Sequence, residues 1–215
     1  MGSARPGFAL AIAAGLAGLL GASPSAAVAA SPFERCYRHS PIDCAIIRTP
    51  LDRSGRVPGT VPLHVIRLKA RAARKGLAPA GAVVPLAGGP GQSSLPLAAD
   101  YADVMATALR TRDLLVFDPR GTGLSGLLRC RSLERRPTGD PRKAVQACAA
   151  RLGPARSFYT SAEAADDIEA ARRVEGVDKL MLYGTSYGTK VALAYAQRYP
   201  EHVESMILDS VVGLD

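Results

Sequence analysis

Lys179-Leu180-Met181-Leu182-Tyr183-Gly184-Thr185-Ser186-Tyr187-Gly188 is an apolar run that breaks into a G-x-S-x-G turn. The run before the turn reads as a buried strand, and Thr189 to Tyr199 reads as a helix. Strand, turn and helix in this order are the context of a nucleophile elbow. The turn forces its serine into a strained backbone conformation, and the flanking glycines let two stretches of chain pass closely. Ser186 is therefore expected to present its hydroxyl above a sheet, at a helix N-terminus. A Ser–His–acid relay of this type needs its acid and histidine after the serine. Only 29 residues follow Ser186, and they hold a single histidine, His202. The chain carries a candidate nucleophile without a visible base.

Outward from the elbow, strands and helices alternate. Ala45 to Ile47 is a short extended run, and Val61 to Leu68 alternates as a half-buried strand. Gly81 to Leu86, Asp113 to Asp118 and Ser205 to Leu208 read as further core strands. Helical patterns cover Tyr101 to Arg110 and Ala162 to Val174, the latter with Ser161 as its N-cap. Asp166 and Asp167 lie early in that helix, where the dipole favours acids. Arg129 to Arg156 is expected to be a surface excursion with a short helix near Ala144 to Arg151. The alternation predicts an α/β fold with a mostly parallel sheet, covered by helices on both faces. Counted from the first extended run, the chain stops after about the sixth strand.

The second chemical signal is Ala87-Gly88-Gly89-Pro90-Gly91-Gln92-Ser93-Ser94, directly after a core strand. A glycine-rich turn there can aim backbone N–H groups at a developing oxyanion. Gly88, Gly89 and Gly91 are the candidate donors' loop, with the N–H of Tyr187 as the second donor. A plain strand–helix turn explains the loop equally well when it is taken alone. A phosphate-binding loop would need a G-K-[ST] ending, which is missing. Loop and elbow together, about a hundred residues apart, favour acyl transfer. No cofactor motif and no metal-ligand spacing accompanies them.

The first thirty residues read as a targeting segment. Arg5 is its only charge, Phe8 to Leu20 is apolar, and Ala27-Val28-Ala29 offers small residues for cleavage near Ala30. The apolar run is too short for a good membrane span, so export outweighs an uncleaved anchor. Residues 31–215 are then the hydrolytic core, secreted or held at the cell wall. The formal net charge is +8. Its basic residues fall in two stretches, Arg67 to Lys75 and Arg129 to Lys143, without interleaved aromatics. A solvated face fits these better than nucleic-acid binding. Attraction to anionic cell-surface polymers is a weaker reading. Four cysteines lie beyond the leader, and an exported chain with an even count suggests disulfides. Pairing 36–44 and 130–148 is the simplest of three connectivities. Zinc is the competing use, disfavoured by the lack of a C-x-x-C pair and by scattered histidines.

A family resemblance accompanies these residues. Ala87 to Gly91 resembles the H-G-G-P-G loop of proline iminopeptidases. Asp118-Pro119-Arg120-Gly121-Thr122-Gly123-Leu124-Ser125 looks like their D-x-R-G-x-G-x-S loop, and residues 184–188 look like their elbow. The stretch from Cys36 to Asp52, the pair Cys130 and Cys148, and Phe158 to Asp167 are similar to exported tripeptidyl-aminopeptidase-like relatives. The resemblance implies an α/β-hydrolase fold, Ser186 as nucleophile and hydrolysis at the N-terminus of peptides. It departs at Ala87, where many relatives have histidine or asparagine. It also departs at the end, where the acid, the histidine and a cap domain are expected.

Local substitutes for the relay are poor. A helix of about 13 residues places His202 on the order of 20 Å from Ser186, whereas a base must come within about 3 Å. His64 is expected near the sheet edge and His39 inside the Cys36–Cys44 turn. Asp209 and Asp215 follow the sixth strand, where a few hydrolases place their acid, but by resemblance to the peptidases Asp209 looks structural. Asp118 and Arg120 are expected to hold the loop around Gly121 and Gly123, and Asp43 and Asp52 to be turn residues. Two functions remain. One is an exported serine hydrolase of aminopeptidase type, acting on peptides or small esters and amides. The other is a truncated or half-protein hydrolase without independent activity, completed by a C-terminal partner chain.

Overall fold

Short runs of β-branched and aliphatic residues build a seven-stranded sheet among the described residues. The computed structural model describes residues 1–2, 31–38, 40–134 and 139–214. Residues 3–30 of the candidate leader, His39 and Asp215 lie outside them. The chain divides into two units, Met1–Ala30 and Ser31–Asp215, and the sheet belongs to the second.

The strands are β1 (Glu34–Arg35), β2 (Ile42–Pro50), β3 (Thr60–Leu68), β4 (Ala82–Leu86), β5 (Asp113–Phe117), β6 (Leu180–Thr185) and β7 (Val203–Asp209). Their order in the sheet is β1-β2-β3-β5-β4-β6-β7. β2, β4, β5, β6 and β7 run one way; β1 and β3 run against them. The sheet is thus mostly parallel, with antiparallel pairing confined to the β1–β2–β3 side and the β3–β5 junction. The extended run expected at Ala45 to Ile47 is the middle of β2, which pairs with β3 over nine residues.

Period-two alternation divides each central strand between two cores. Ala82, Val84, Leu86, Leu115 and Phe117 face α4 (Ser161–Glu175) and α5 (Tyr187–Arg198). Val83, Leu114 and Val116 face α1 (Ala98–Val104) and the turn after it, through Tyr101, Met105 and Leu109. Every residue of β4 and β5 is buried, as two-sided cover requires. Leu63, Leu115, Ile168, Leu180 and Leu182 are almost wholly enclosed, each contributing roughly 1.5–3 kcal/mol.

Several local expectations need correction. The helix expected over Tyr101 to Arg110 begins earlier, at Ala98, and stops at Val104; a separate turn of 3-10 helix spans Ala108–Arg110. Met105 to Thr107 form a turn between the two. The N-cap of α4 is Thr160, whose hydroxyl accepts from the Glu163 N–H; Ser161 is the first helical residue. Asp166 and Asp167 answer to arginines rather than to the helix dipole. Asp166 pairs with Arg198 and Asp167 with Arg120. The surface excursion holds α2 (Arg131–Glu134) and a longer α3 (Pro141–Leu152) than the one expected at 144–151. Asp140 caps α3 and Pro141 opens it, which extends it backwards. Asp43 is a strand residue, not a turn residue, and its carboxylate meets Arg67 at 2.9 Å. Asp52 does build a turn, accepting from the N–H groups of Ser54, Arg56 and Val57. Cys36 bonds Cys44 and Cys130 bonds Cys148, the local pairing.

One buried charge cluster sets a pH dependence. Arg67 lies over the Phe33 ring at 4.2 Å and bonds Asp43 and Glu175. Burial, reinforced by a hydrogen bond with Asp113, pushes the Glu175 carboxyl up to about 8, against an ordinary value of 4.5. Between those values the folded chain holds a proton that the unfolded chain has released. Stability therefore falls as pH rises through that window. Glu175→Gln is expected to flatten this slope. At pH 8 it should gain on the order of a few kcal/mol over the parent, with little difference below pH 4.5. Urea midpoints across that pH range check it; parallel curves would sink the assignment.

Candidate active site

The order of β4 and β6 creates the crevice in which the two chemical motifs meet. Chain from β4 leads to α1 on one face, and chain from β6 leads to α5 on the other. Leu86 and Gly184 are register partners, so the loops that follow start side by side at the C-terminal ends of neighbouring strands. Such a divergence point is where open α/β sheets hold ligands.

Ser186 sits between β6 and α5 with φ 53° and ψ −119°. A non-glycine residue there stores about 1–3 kcal/mol of strain. Three contacts hold it. The Ser186 N–H donates to the Asp209 carbonyl at 2.8 Å. The Ser186 carbonyl accepts from the Thr189 N–H at 2.9 Å and from the Thr189 hydroxyl at 2.6 Å. The Thr189 hydroxyl in turn accepts from the Val212 N–H. The elbow is thereby braced by the end of β7 and the residues beyond it. Neither Thr189 nor the Asp209 carbonyl was legible as support, because a backbone acceptor 23 residues away leaves no local pattern.

Both elbow glycines are needed for space. A β-carbon on Gly184 would lie 2.8 Å from the Gly188 carbonyl oxygen, and one on Gly188 only 2.0 Å from that of Leu86. The second contact presses α5 against the end of β4 and so fixes the elbow relative to the glycine-rich loop.

Gly88 is buried, and a β-carbon there would come within 3.2 Å of the Ser186 Cβ. Gly89 and Gly91 are exposed, with φ of 108° and 100°, and a cis peptide joins Gly89 to Pro90. The structure thus brings Gly88 against Ser186, with Gly89 and Gly91 farther along the turn. Tyr187 opens α5, where the first N–H groups have no acceptor within the helix. Its ring hydroxyl shares a 2.8 Å hydrogen bond with Ser161.

Ala87 offers the loop no polar side chain, yet the loop is well held. The buried Asp118 carboxylate accepts from the Ser93 hydroxyl and the Ser94 and Leu95 N–H groups. Its other oxygen accepts from the Leu124 N–H. One aspartate therefore locks the loop after β4 to the loop after β5. Gly123 is required beside it, since a β-carbon would fall 1.9 Å from the carboxylate. Arg120 reaches further, to Asp167 at 2.7 Å, and to the carbonyls of Phe158 and Leu51 at 2.8 and 3.2 Å.

A cavity of about 360 Å³ opens beside the elbow, between the glycine-rich loop and the loop after β5. The histidines lie elsewhere. His202 follows α5, stacks on Tyr199 and places Nδ1 3.1 Å from Glu169. The 12 residues of α5 put it on the order of 18 Å from the elbow. Burial raises the Glu169 carboxyl, but Arg172, Arg173 and Tyr195 outweigh this and hold it at about 2. His64 lies in β3, the third strand from the β1 edge, opposite Ile46. The Asp209 carboxylate is exposed and accepts from the Ser210 hydroxyl. Among the described residues nothing reaches the Ser186 hydroxyl as a base. The assembly can hold a hydroxyl, two backbone donors and an apolar group together.

A family model described as alpha/beta hydrolase fold matches residues 81–214. The tripeptidyl aminopeptidase of Streptomyces lividans is 29% identical over 194 residues, covering 80% of this chain and 36% of that protein. The serine protease Hip1 of Mycobacterium tuberculosis is 29% identical over 192 residues, covering 79% and 36%. The proline iminopeptidase of Neisseria gonorrhoeae is 40% identical over only 45 residues, covering 21% and 14%. The chain spans about a third of the length of the first two.

Proposed function

The chain belongs to the alpha/beta hydrolase fold family, and from that premise we propose that it forms the nucleophile-bearing part of a serine peptidase acting at the N-terminal end of peptides. One observation carries the reading. Ser186 is held at φ 53° on a strand–helix elbow with a buried glycine of the neighbouring loop against it. The Ser186 hydroxyl oxygen attacks the scissile carbonyl carbon, and its proton passes to a base. The Tyr187 N–H and an N–H of the Gly88, Gly89 and Gly91 loop receive the oxyanion. The C–N bond then breaks, the amine leaves with a proton, and water cleaves the acyl-enzyme. The histidine and acid come from outside the described residues. The names of the relatives support the peptidase class, and the two disulfides support an exported location.

A second reading rests on β7. Among the described residues it is the last strand in the sheet order, and Ile207 within it and Val211 after it are exposed. An unpaired edge of this kind accepts another strand. In this reading a C-terminal partner chain completes the sheet and supplies the relay.

The test is hydrolysis of p-nitrophenyl acetate by the chain and by Ser186→Ala. The parent is expected to show a burst of p-nitrophenol, because acyl transfer to the Ser186 hydroxyl releases it before water cleaves the acyl-enzyme. The variant should lose the burst, keeping at most the slow turnover that an oxyanion hole supports without its serine. Equal bursts would remove Ser186 from the chemistry. Adding a C-terminal half in trans should raise tripeptide cleavage if the second reading holds.

A further inference from the structure

The cavity beside the elbow has a one-sided chemistry. Leu127, Leu128, Tyr159, Tyr187 and Val191 form much of its wall, and among the described residues no aspartate, glutamate, lysine or histidine lines it. Arg120 is the one charged residue among those lining it, and that guanidinium is already engaged. It bonds both Asp167 oxygens at 2.7 Å, Glu163 at 3.2 Å and the Phe158 carbonyl at 2.8 Å. The aromatic walls are fixed in place. The Tyr187 hydroxyl is tied to Ser161. The Tyr159 ring lies so close to Gly121 that a β-carbon there would meet it at 2.8 Å.

An ammonium or carboxylate entering this space would lose water without gaining an opposite charge, a cost of several kcal/mol. An aliphatic group entering it gains about 25 cal/mol for each Å² buried. Gly88, which packs near Ser186, and Tyr187, the residue after it, both line the cavity, so the space opens beside the elbow. We propose that this cavity receives the uncharged, apolar side chain of the substrate residue whose carbonyl Ser186 attacks, and that it excludes the free amine of the peptide. The assignment rests on Ser186 being the nucleophile. Leu128 is the specificity-determining residue at the wall: it is half-buried, and its N–H is anchored on the Gly121 carbonyl at 3.0 Å.

A matched pair of probes tests the cavity without any reaction. 4-Methylpentanamide and leucinamide share one skeleton and differ by the ammonium group. Both are titrated into the Ser186→Ala chain while the methyl signals of Leu127, Leu128 and Val191 are followed by NMR. The neutral amide should shift these methyls saturably, with a dissociation constant of roughly 1–10 mM for so small a ligand. Leucinamide should bind at least about tenfold more weakly. Leu128→Asp, which puts a carboxylate in the wall, should reverse the preference. Leu128→Trp, which fills the space, should weaken the amide by about tenfold or more. Equal or tighter binding of leucinamide to the parent cavity overturns the proposal, as does the absence of shifts at these methyls with either probe. Ser186→Ala cannot react, so this result is separate from the ester test of the nucleophile.

Discussion

Arg120→Ala is expected to cost about 3–5 kcal/mol of stability, the range for breaking a buried ion pair from one side. The Arg120 and Asp167 side chains are each only 1% exposed. Arg120 also serves the carbonyls of Leu51 and Phe158. Its removal strands the Asp167 carboxylate and frees three segments at once: the chain after β2, the chain before α4, and α4 itself. Arg53, at 2.8 Å from Asp167, offsets part of the loss, which favours the lower end of the range. Arg120→Lys should not rescue it. An ammonium cannot hold both carboxylate oxygens and the carbonyls in one plane. Urea denaturation gives the number, and a loss below about 1 kcal/mol would show that Arg53 suffices.

Gly188→Ala is expected to have the larger effect on chemistry. The added methyl would lie 2.0 Å from the Leu86 carbonyl oxygen and 2.9 Å from that of Ala87. Both are backbone atoms and cannot swing aside. α5 must move away from the end of β4 and carry Ser186 and Tyr187 away from Gly88. A displacement near 1 Å costs on the order of 10²-fold in rate, and overpacking costs typically about 1–3 kcal/mol in stability. Gly139→Ala is the control, because nothing lies within 4 Å of its added carbon. The comparison is the Ser186-dependent ester burst of the two variants. A Gly188→Ala chain with the parent's burst would show that the elbow does not depend on this contact.

The parts legible in the sequence were those with short-range physical causes. Apolar runs bounded by glycine marked the core strands, and the small residues at 184 and 188 marked the elbow because a close approach leaves no room for a side chain. The mostly parallel α/β sheet followed from those elements and from their order, and the α/β-hydrolase fold from the family resemblance of the loops at 87–91, 118–125 and 184–188. The helix ends were less legible. Thr160 and Ser161 are both good caps; Thr160 takes the role, and the Ser161 hydroxyl pairs instead with Tyr187, 26 residues later. Asp43 looks like a turn former until Arg67 is placed across the sheet from it. Asp167 and Arg120 lie 47 residues apart, so no local pattern announces their pairing. The apolar cavity was invisible for the same reason, since its wall is assembled from four separate segments. The site's base was absent from the sequence pattern, and no described residue supplies it.

The most direct test is the mass of the adduct formed with a fluorophosphonate, mapped after trypsin digestion. Cleavage after Lys179 and Lys190 isolates the peptide Leu180 to Lys190, which carries the elbow. One phosphonyl group is expected on Ser186 in this peptide, formed slowly in the chain alone and faster once a C-terminal half supplies the base, and none in the Ser186→Ala chain. An adduct on another hydroxyl, one that persists in Ser186→Ala, or no adduct even with a C-terminal half added, would contradict Ser186 as the nucleophile.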